Sequence, residues 1–190
     1  MGEILKAFLL IFFVGSQLVA QNKENRWVVG AGIGVAKFSS ENAKTVGDQF
    51  IFQAPKLNVS RYFFNGLTVD AALSFNTINK IDGLFSNSID YFTFDLGAKY
   101  DFGTSKENLV PYAIGGLSFI NANNEMSPAL NFGAGGTFWL NSSYGVNLQL
   151  TYKSIFKSTE NMSSHAYFSL GVVYSLKPRT LIPRLWSHNK

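Results

Sequence analysis

The feature that most constrains this chain is a two-residue rhythm of apolar and polar side chains, repeated from about residue 26 to residue 176. Successive side chains of a β-strand point to opposite faces, so such alternation marks strands with two unlike surroundings. Trp27, Val29, Ala31, Ile33 and Val35 share one face, against Val28, Gly30, Gly32, Gly34 and Ala36. Leu67 to Phe75, Phe92 to Phe102, Leu130 to Leu140, Val146 to Tyr152 and Ala166 to Leu176 repeat the pattern. In a chain that is 46% hydrophobic, six alternate positions are all apolar by chance about once in a hundred trials. Several such segments in 190 residues select an antiparallel all-β architecture.

Two further segments read as strands with less regular faces. Residues 50–63 carry Leu57, Val59 and Phe63 in one register, but Pro55 and Arg61 share it. Pro55 implies a bulge, and Arg61 must lie near an interface where its head can snorkel. Residues 110–120 fit either register. The connections alternate in length: Phe64-Asn65-Gly66 and Asn141-Ser142-Ser143 are short, whereas 39–49, 77–89, 121–128 and 155–164 are long and polar. The connection at 103–109 is longer than this alternation implies. A membrane strand takes about 9–11 residues, so eight fit with room for loops and sixteen do not. The expected fold is a closed antiparallel eight-stranded transmembrane β-barrel, with its long loops on one side.

Alternation alone does not distinguish a lipid-facing sheet from a soluble one. The polar face does. On a soluble protein that face is rich in Lys and Glu; here it is Gly, Ser, Thr, Asn and Gln with a few charges of mixed sign. Only 15% of the residues are charged and 15% are aromatic, against about 25% charged in an average soluble domain. A narrow lumen accounts for the polar face. Asp70 and Asp95 are then expected to pair there with Lys99 and Lys153, since an unpaired buried charge is costly.

The first twenty residues read as a cleaved signal peptide. Lys6 precedes an apolar run from Ala7 to Val14, and Gly15-Ser16-Gln17 ends it well short of the roughly 20 residues a spanning helix needs. Ala20 offers the small residue at the cleavage point. No later stretch is long and apolar enough for such a helix, so a membrane-embedded mature chain has to be a barrel. There is no cysteine, which excludes disulfides, thiolate metal sites and a lipidated N-terminus. The net charge of +4 is scattered rather than clustered, so no nucleic-acid footprint is expected.

With the strands placed, Tyr91-Phe92-Thr93-Phe94-Asp95-Leu96-Gly97-Ala98-Lys99-Tyr100-Asp101-Phe102, Val110-Pro111-Tyr112 and the final strand to Leu176 carry a resemblance to the small outer-membrane β-barrel family of OmpA-like type. It covers roughly residues 26 to 176, giving a signal peptide (1–20), a barrel domain (21–176) and a flexible C-terminal tail (177–190). The resemblance implies residence in the cell outer membrane, contact with outer-membrane lipid and handling by the barrel-insertion machinery. It also implies that Ser169, Gly171, Tyr174 and Leu176 form the assembly signal read by that machinery. The expectation is a barrel without the peptidoglycan-binding domain of full OmpA-like proteins, and therefore without cell-wall tethering by that route.

Chemistry is sparse. The Gly30, Gly32, Gly34 series lacks the spacing and the following helix of a nucleotide loop, so it reads as strand glycine. His165 and His188 are the only histidines, and neither has ligand spacing to the other. Ser163, Ser164 and His165 lie where lipid-modifying barrels place a His–Ser pair, but the sequence Ser-His-Ala-Tyr-Phe-Ser lacks the His-x-Ser-Asn pattern of the lipid A deacylase barrels. The expectation is a barrel with a structural or interaction role, no catalytic residues, no cofactor and no metal. A lipid-modifying enzyme centred on His165 and a soluble periplasmic ligand-binding β-barrel are the alternatives. N-terminal sequencing of the membrane-assembled protein should begin at or near Gln21; a chain retaining Met1 there would overturn the leader.

Overall fold

The computed structural model describes residues 27–46, 49–64, 66–76, 91–102, 108–156 and 162–178. Among the described residues, eight strands follow one another around a closed barrel: β1 (Trp27–Lys37), β2 (Phe50–Phe64), β3 (Leu67–Phe75), β4 (Tyr91–Asp101), β5 (Leu109–Ala122), β6 (Glu125–Trp139), β7 (Tyr144–Ile155) and β8 (His165–Ser175). Each pairs antiparallel with its neighbours. β8 closes on β1 from Val28↔Ser175 to Lys37↔Ala166, so no strand edge is left bare. The leader, the 77–89 connection, most of the 103–109 connection and tail residues 179–190 lie outside the described residues. No described helix is long and apolar enough to cross a membrane, a fact that leaves a strand-built span untouched.

The alternation maps onto the barrel wall. Leu57, Leu96, Leu117, Phe132, Leu148, Leu150, Leu170 and Val172 stand outward and exposed, while Asp70, Thr93, Lys99, Asn131, Gln149, Lys153 and Ser169 point inward and are buried. Among the described residues, the outward faces of the strands carry charge only at Lys37 and Arg61, both near strand ends. The strands are 9 to 15 residues long, enough for the roughly 9–11 residues that a tilted membrane strand requires.

The irregular segments have specific causes. In β2, Gly32↔Lys56 is followed by Gly34↔Gln53, so Ala54 and Pro55 together oppose Ile33 as a bulge. Proline lacks the N–H that a ladder position would use, which makes this the natural place for the extra residue. In β5 the even-numbered residues face inward. Its inner face carries Val110, Tyr112, Ile114 and Ile120, so both faces are apolar and periodicity could not separate them.

Two loop expectations are corrected. Residues 121–128 are not a long loop: β5 and β6 stay paired to Ala122↔Glu125, joined by Asn123 and Asn124 alone. Both adopt left-handed backbone, with φ of 49° and 67°, a conformation asparagine tolerates and a two-residue hairpin requires. The 39–49 connection carries a short helix, α1 (Ser40–Val46), rather than loop alone. Ser39 caps it by accepting the Asn42 N–H at 3.3 Å. At the opposite end Gly66, at φ 84°, completes the tight β2–β3 turn, and the Asn141 side chain accepts the N–H groups of Ser143 and Tyr144 in the β6–β7 turn.

Leu96 stands outward at the midpoint of β4, and Phe102 stands outward just past its end. Leu96→Arg should destabilise the folded barrel by about 2–4 kcal/mol and Phe102→Arg by about 0–1 kcal/mol, following the depth dependence of a cation in lipid. Urea titration of refolding into lipid vesicles measures both; equal costs would contradict the assigned lipid band.

Candidate functional site

The inward faces converge on a charged belt at mid-lumen. Lys99 on β4 donates to Asp70 on the adjacent β3 at 2.8 Å. Asp70 also accepts from the Ser60 hydroxyl and, at 3.4 Å, from the Asn58 amide. Lys153 on β7 reaches across the interior to Asp95 on β4 at 2.6 Å. Ser118 ties this second pair together. Its hydroxyl donates to Asp95 while its oxygen accepts from Lys153 at 2.9 Å and from Asn131 at 2.8 Å, which uses the one donor and two acceptor positions a serine has. The four charges singled out by the sequence are thus brought together as two ion pairs.

Lys56 joins them as a third buried lysine, a residue that strand periodicity does not distinguish. The bulge at Ala54–Pro55 switches the inward parity of β2 from Ile51 and Gln53 to Lys56, Asn58 and Ser60, and Pro55 is the only sequence signal of that switch. Lys56 donates to Ser169 Oγ on β8 at 2.9 Å, over the intervening β1. Its ammonium also lies 5.2 Å from the centre of the Tyr167 ring, and Lys153 lies 4.9 Å from the same ring. Lys99 stands 5.0 Å from the Tyr112 ring. Such contacts contribute more where water is excluded. Two strand glycines make them possible: a Cβ at Gly34 would overlap the Tyr167 hydroxyl, and one at Gly135 would meet the Tyr112 hydroxyl at 2.5 Å.

Apolar clusters close the belt off on both sides. Towards the loop end, Ala36, Phe38, Ile51, Tyr91, Ile120, Ala122, Ala129, Ile155, Met162 and Tyr167 form a buried cluster, with Ala43 of α1 packed onto it. Towards the turn end, Val110, Trp139 and Val173 bury one another with Val28 alongside. The polar lumen that the sequence implies is therefore only the middle layer of the interior. Two voids in the belt, each lined in part by Lys56, Asp70 and Gln149, have room for about one water molecule apiece.

His165 is buried at the loop end. Its Nδ1 lies 2.8 Å from the Ser163 carbonyl oxygen and its Nε2 lies 2.8 Å from the Tyr91 hydroxyl. The carbonyl can only accept, so Nδ1 donates and Nε2 accepts from Tyr91. The Ser164 hydroxyl instead accepts the Ile155 N–H at 3.0 Å, and among the described residues no serine hydroxyl is hydrogen-bonded to the His165 ring. Of the residues expected to guide assembly, Ser169 faces inward to Lys56, and Gly171 faces inward beside Gly32 in the β1–β8 seam. Tyr174 faces outward with its ring centre 4.9 Å from that of Tyr144. Leu176, also outward, ties its N–H to the Trp27 carbonyl at 2.9 Å. Among the described residues there is no group of His, Cys, Asp or Glu side chains able to hold a metal ion.

Comparison with known structures returns the same architecture. The N-terminal β-barrel domain of OprF from Pseudomonas aeruginosa is similar at a TM-score of 0.59 and 14% identity, over 79% of this chain and 97% of that one. The outer membrane protein OprG of the same organism gives 0.59 and 12%, over 82% and 97%. Neisserial surface protein A gives 0.51 and 18%, over 79% and 95%. These likenesses concern the fold. No curated protein shows significant sequence similarity to the chain. The family model described as "Outer membrane protein beta-barrel domain" matches residues 7–175. The closed eight-stranded wall, its apolar exterior and this match together place the chain in the outer membrane, as a member of the outer membrane protein β-barrel domain family.

Proposed function

We propose that the protein is a non-catalytic outer-membrane barrel, closed to bulk flow, whose role is structural or interactive. The observation that carries this reading is the packed interior among the described residues: an ion-paired belt held between two apolar clusters, with two voids in the belt that each take about one water molecule. Small barrels of eight strands have an inside just wide enough for side chains to fill, and here they fill it. Lys56, Lys99 and Lys153 in the belt hold positions through hydrogen bonds and ring contacts that a moving solute would have to break.

The reading as a lipid-modifying enzyme centred on His165 is disfavoured by the same geometry. A general base has to lie within hydrogen-bond reach of the nucleophile or water whose proton it takes. The accepting nitrogen of His165 faces the Tyr91 hydroxyl rather than a serine, the other is held by the Ser163 carbonyl, and the ring is buried against Phe38. The soluble ligand-binding alternative draws no support from the two voids in the belt, which are far smaller than a ligand pocket.

Two measurements test the proposal. Purified protein in planar bilayers should show no large, stable conductance steps, and such steps would overturn the closed lumen. Asp95→Asn should leave Lys153 buried without its counter-charge and cost about 3–5 kcal/mol, seen as a lowered midpoint of urea unfolding. Lys153→Met combined with Asp95→Leu should recover most of that loss, because an apolar pair leaves no stranded charge.

A further inference from the structure

Arg61 holds one of the two charges on the outward faces of the described strands, and its surroundings are incomplete. Trp27 and Arg61 are partners across the β1–β2 ladder, as are Lys37 and Phe50 at the other end of the same ladder. The 11 residues of β1 rise about 33 Å along the strand, or about 25 Å along the membrane normal after tilt, which is the height of the apolar band of such barrels. Lys37 and Arg61 therefore mark the two headgroup levels. Arg61 stands on the side of the short turns, which faces the periplasm in this architecture.

The guanidinium carbon of Arg61 lies 5.2 Å from the Trp27 ring centre and 5.1 Å from that of Phe63. The two rings flank its plane. Its Nε is buried with no hydrogen-bond partner, and no carboxylate pairs with it among the described residues. A guanidinium keeps its charge at any ordinary pH, and this one has no anion within the described protein to balance it. A rigid fork of N–H donors matches two oxygens of one phosphate. At this depth the available phosphate is that of a lipid. Lys37, by contrast, is exposed, a single ammonium 5.9 Å from the Phe50 ring with no fork to present.

We propose that Arg61, framed by Trp27 and Phe63, is a binding site for the phosphodiester of a phospholipid in the periplasmic leaflet. The site lies on the barrel exterior and is independent of whether the lumen conducts. Native mass spectrometry of the intact barrel in mild detergent, with added phosphatidylglycerol as the probe, provides the test. The unsubstituted protein should retain bound phosphatidylglycerol. Arg61→Gln should retain about ten-fold less, the loss expected for one charge-assisted bidentate contact. Arg61→Lys should fall between the two, and Lys37→Gln should behave as the parent. Heat-modifiable gel migration first establishes that each variant is folded. Undiminished retention by Arg61→Gln, or no retention by the parent, would overturn the site. Displacement of the lipid by millimolar inorganic phosphate would also overturn it, because the pocket would then be one for free anions. Full retention by Arg61→Lys would remove the case for fork recognition and with it the site as drawn.

Discussion

A chain in hydrocarbon has no water to which it can surrender an unpaired N–H or C=O, and each such group costs several kcal/mol. The pairing of β8 with β1 satisfies that demand here. Ten residue pairs from Val28↔Ser175 to Lys37↔Ala166 turn a sheet with two open edges into a wall with none. The rest of the molecule follows from that closure. Eight strands fix a narrow bore, the bore limits which side chains fit, and glycines in register at Gly32 with Gly171 and Gly97 with Gly116 let the backbones approach where a Cβ would strike a neighbouring carbonyl.

Closure also creates an enclosed interior in which charge is hard to tolerate. The chain resolves this with contacts inside the lumen: Lys153 to Asp95, and Lys56 to Ser169, join strands that share no ladder. The first spans the interior from β7 to β4 and the second bridges over β1, so both tie together strands that the ladder hydrogen bonds cannot link. Tyr112 adds a third brace, with its hydroxyl 3.1 Å from Gln149 Oε1 and 2.9 Å from the Asn147 amide nitrogen that donates to it. A polar interior of this kind contributes when every member is satisfied and becomes a liability when one partner is lost.

Much of this was legible in residue order because lipid and lumen impose opposite demands on adjacent side chains. β3, β4, β7 and β8 follow their alternation, and β6 does so from Leu130 onward. The reading failed where a second constraint intruded. In β5 the inner face supplies Val110 to one apolar cluster and Ile120 to the other, so the contrast between faces disappears. In β2 the bulge changes parity midway, which hides Lys56. Asn123-Asn124 looked like part of a loop because polar residues at a hairpin tip and in a long loop have the same composition; only backbone angles tell them apart. The apolar clusters at the two ends of the lumen were not legible at all. They are assembled from residues on strands distant in sequence, a fact that no local window contains.

Tyr167 touches every layer of the loop-ward half of the interior. Its ring belongs to the apolar cluster that includes Phe38 and Met162, its faces receive Lys56 and Lys153, and its hydroxyl lies 3.2 Å from that of Ser74 on the far wall. The greasy stopper and the ionic girdle therefore share a single rivet. They cannot loosen one at a time, because tilting that ring to free the stopper withdraws it from both ammonium groups. Injury to either layer spreads to the other, and the loop-ward interior yields as one cooperative block.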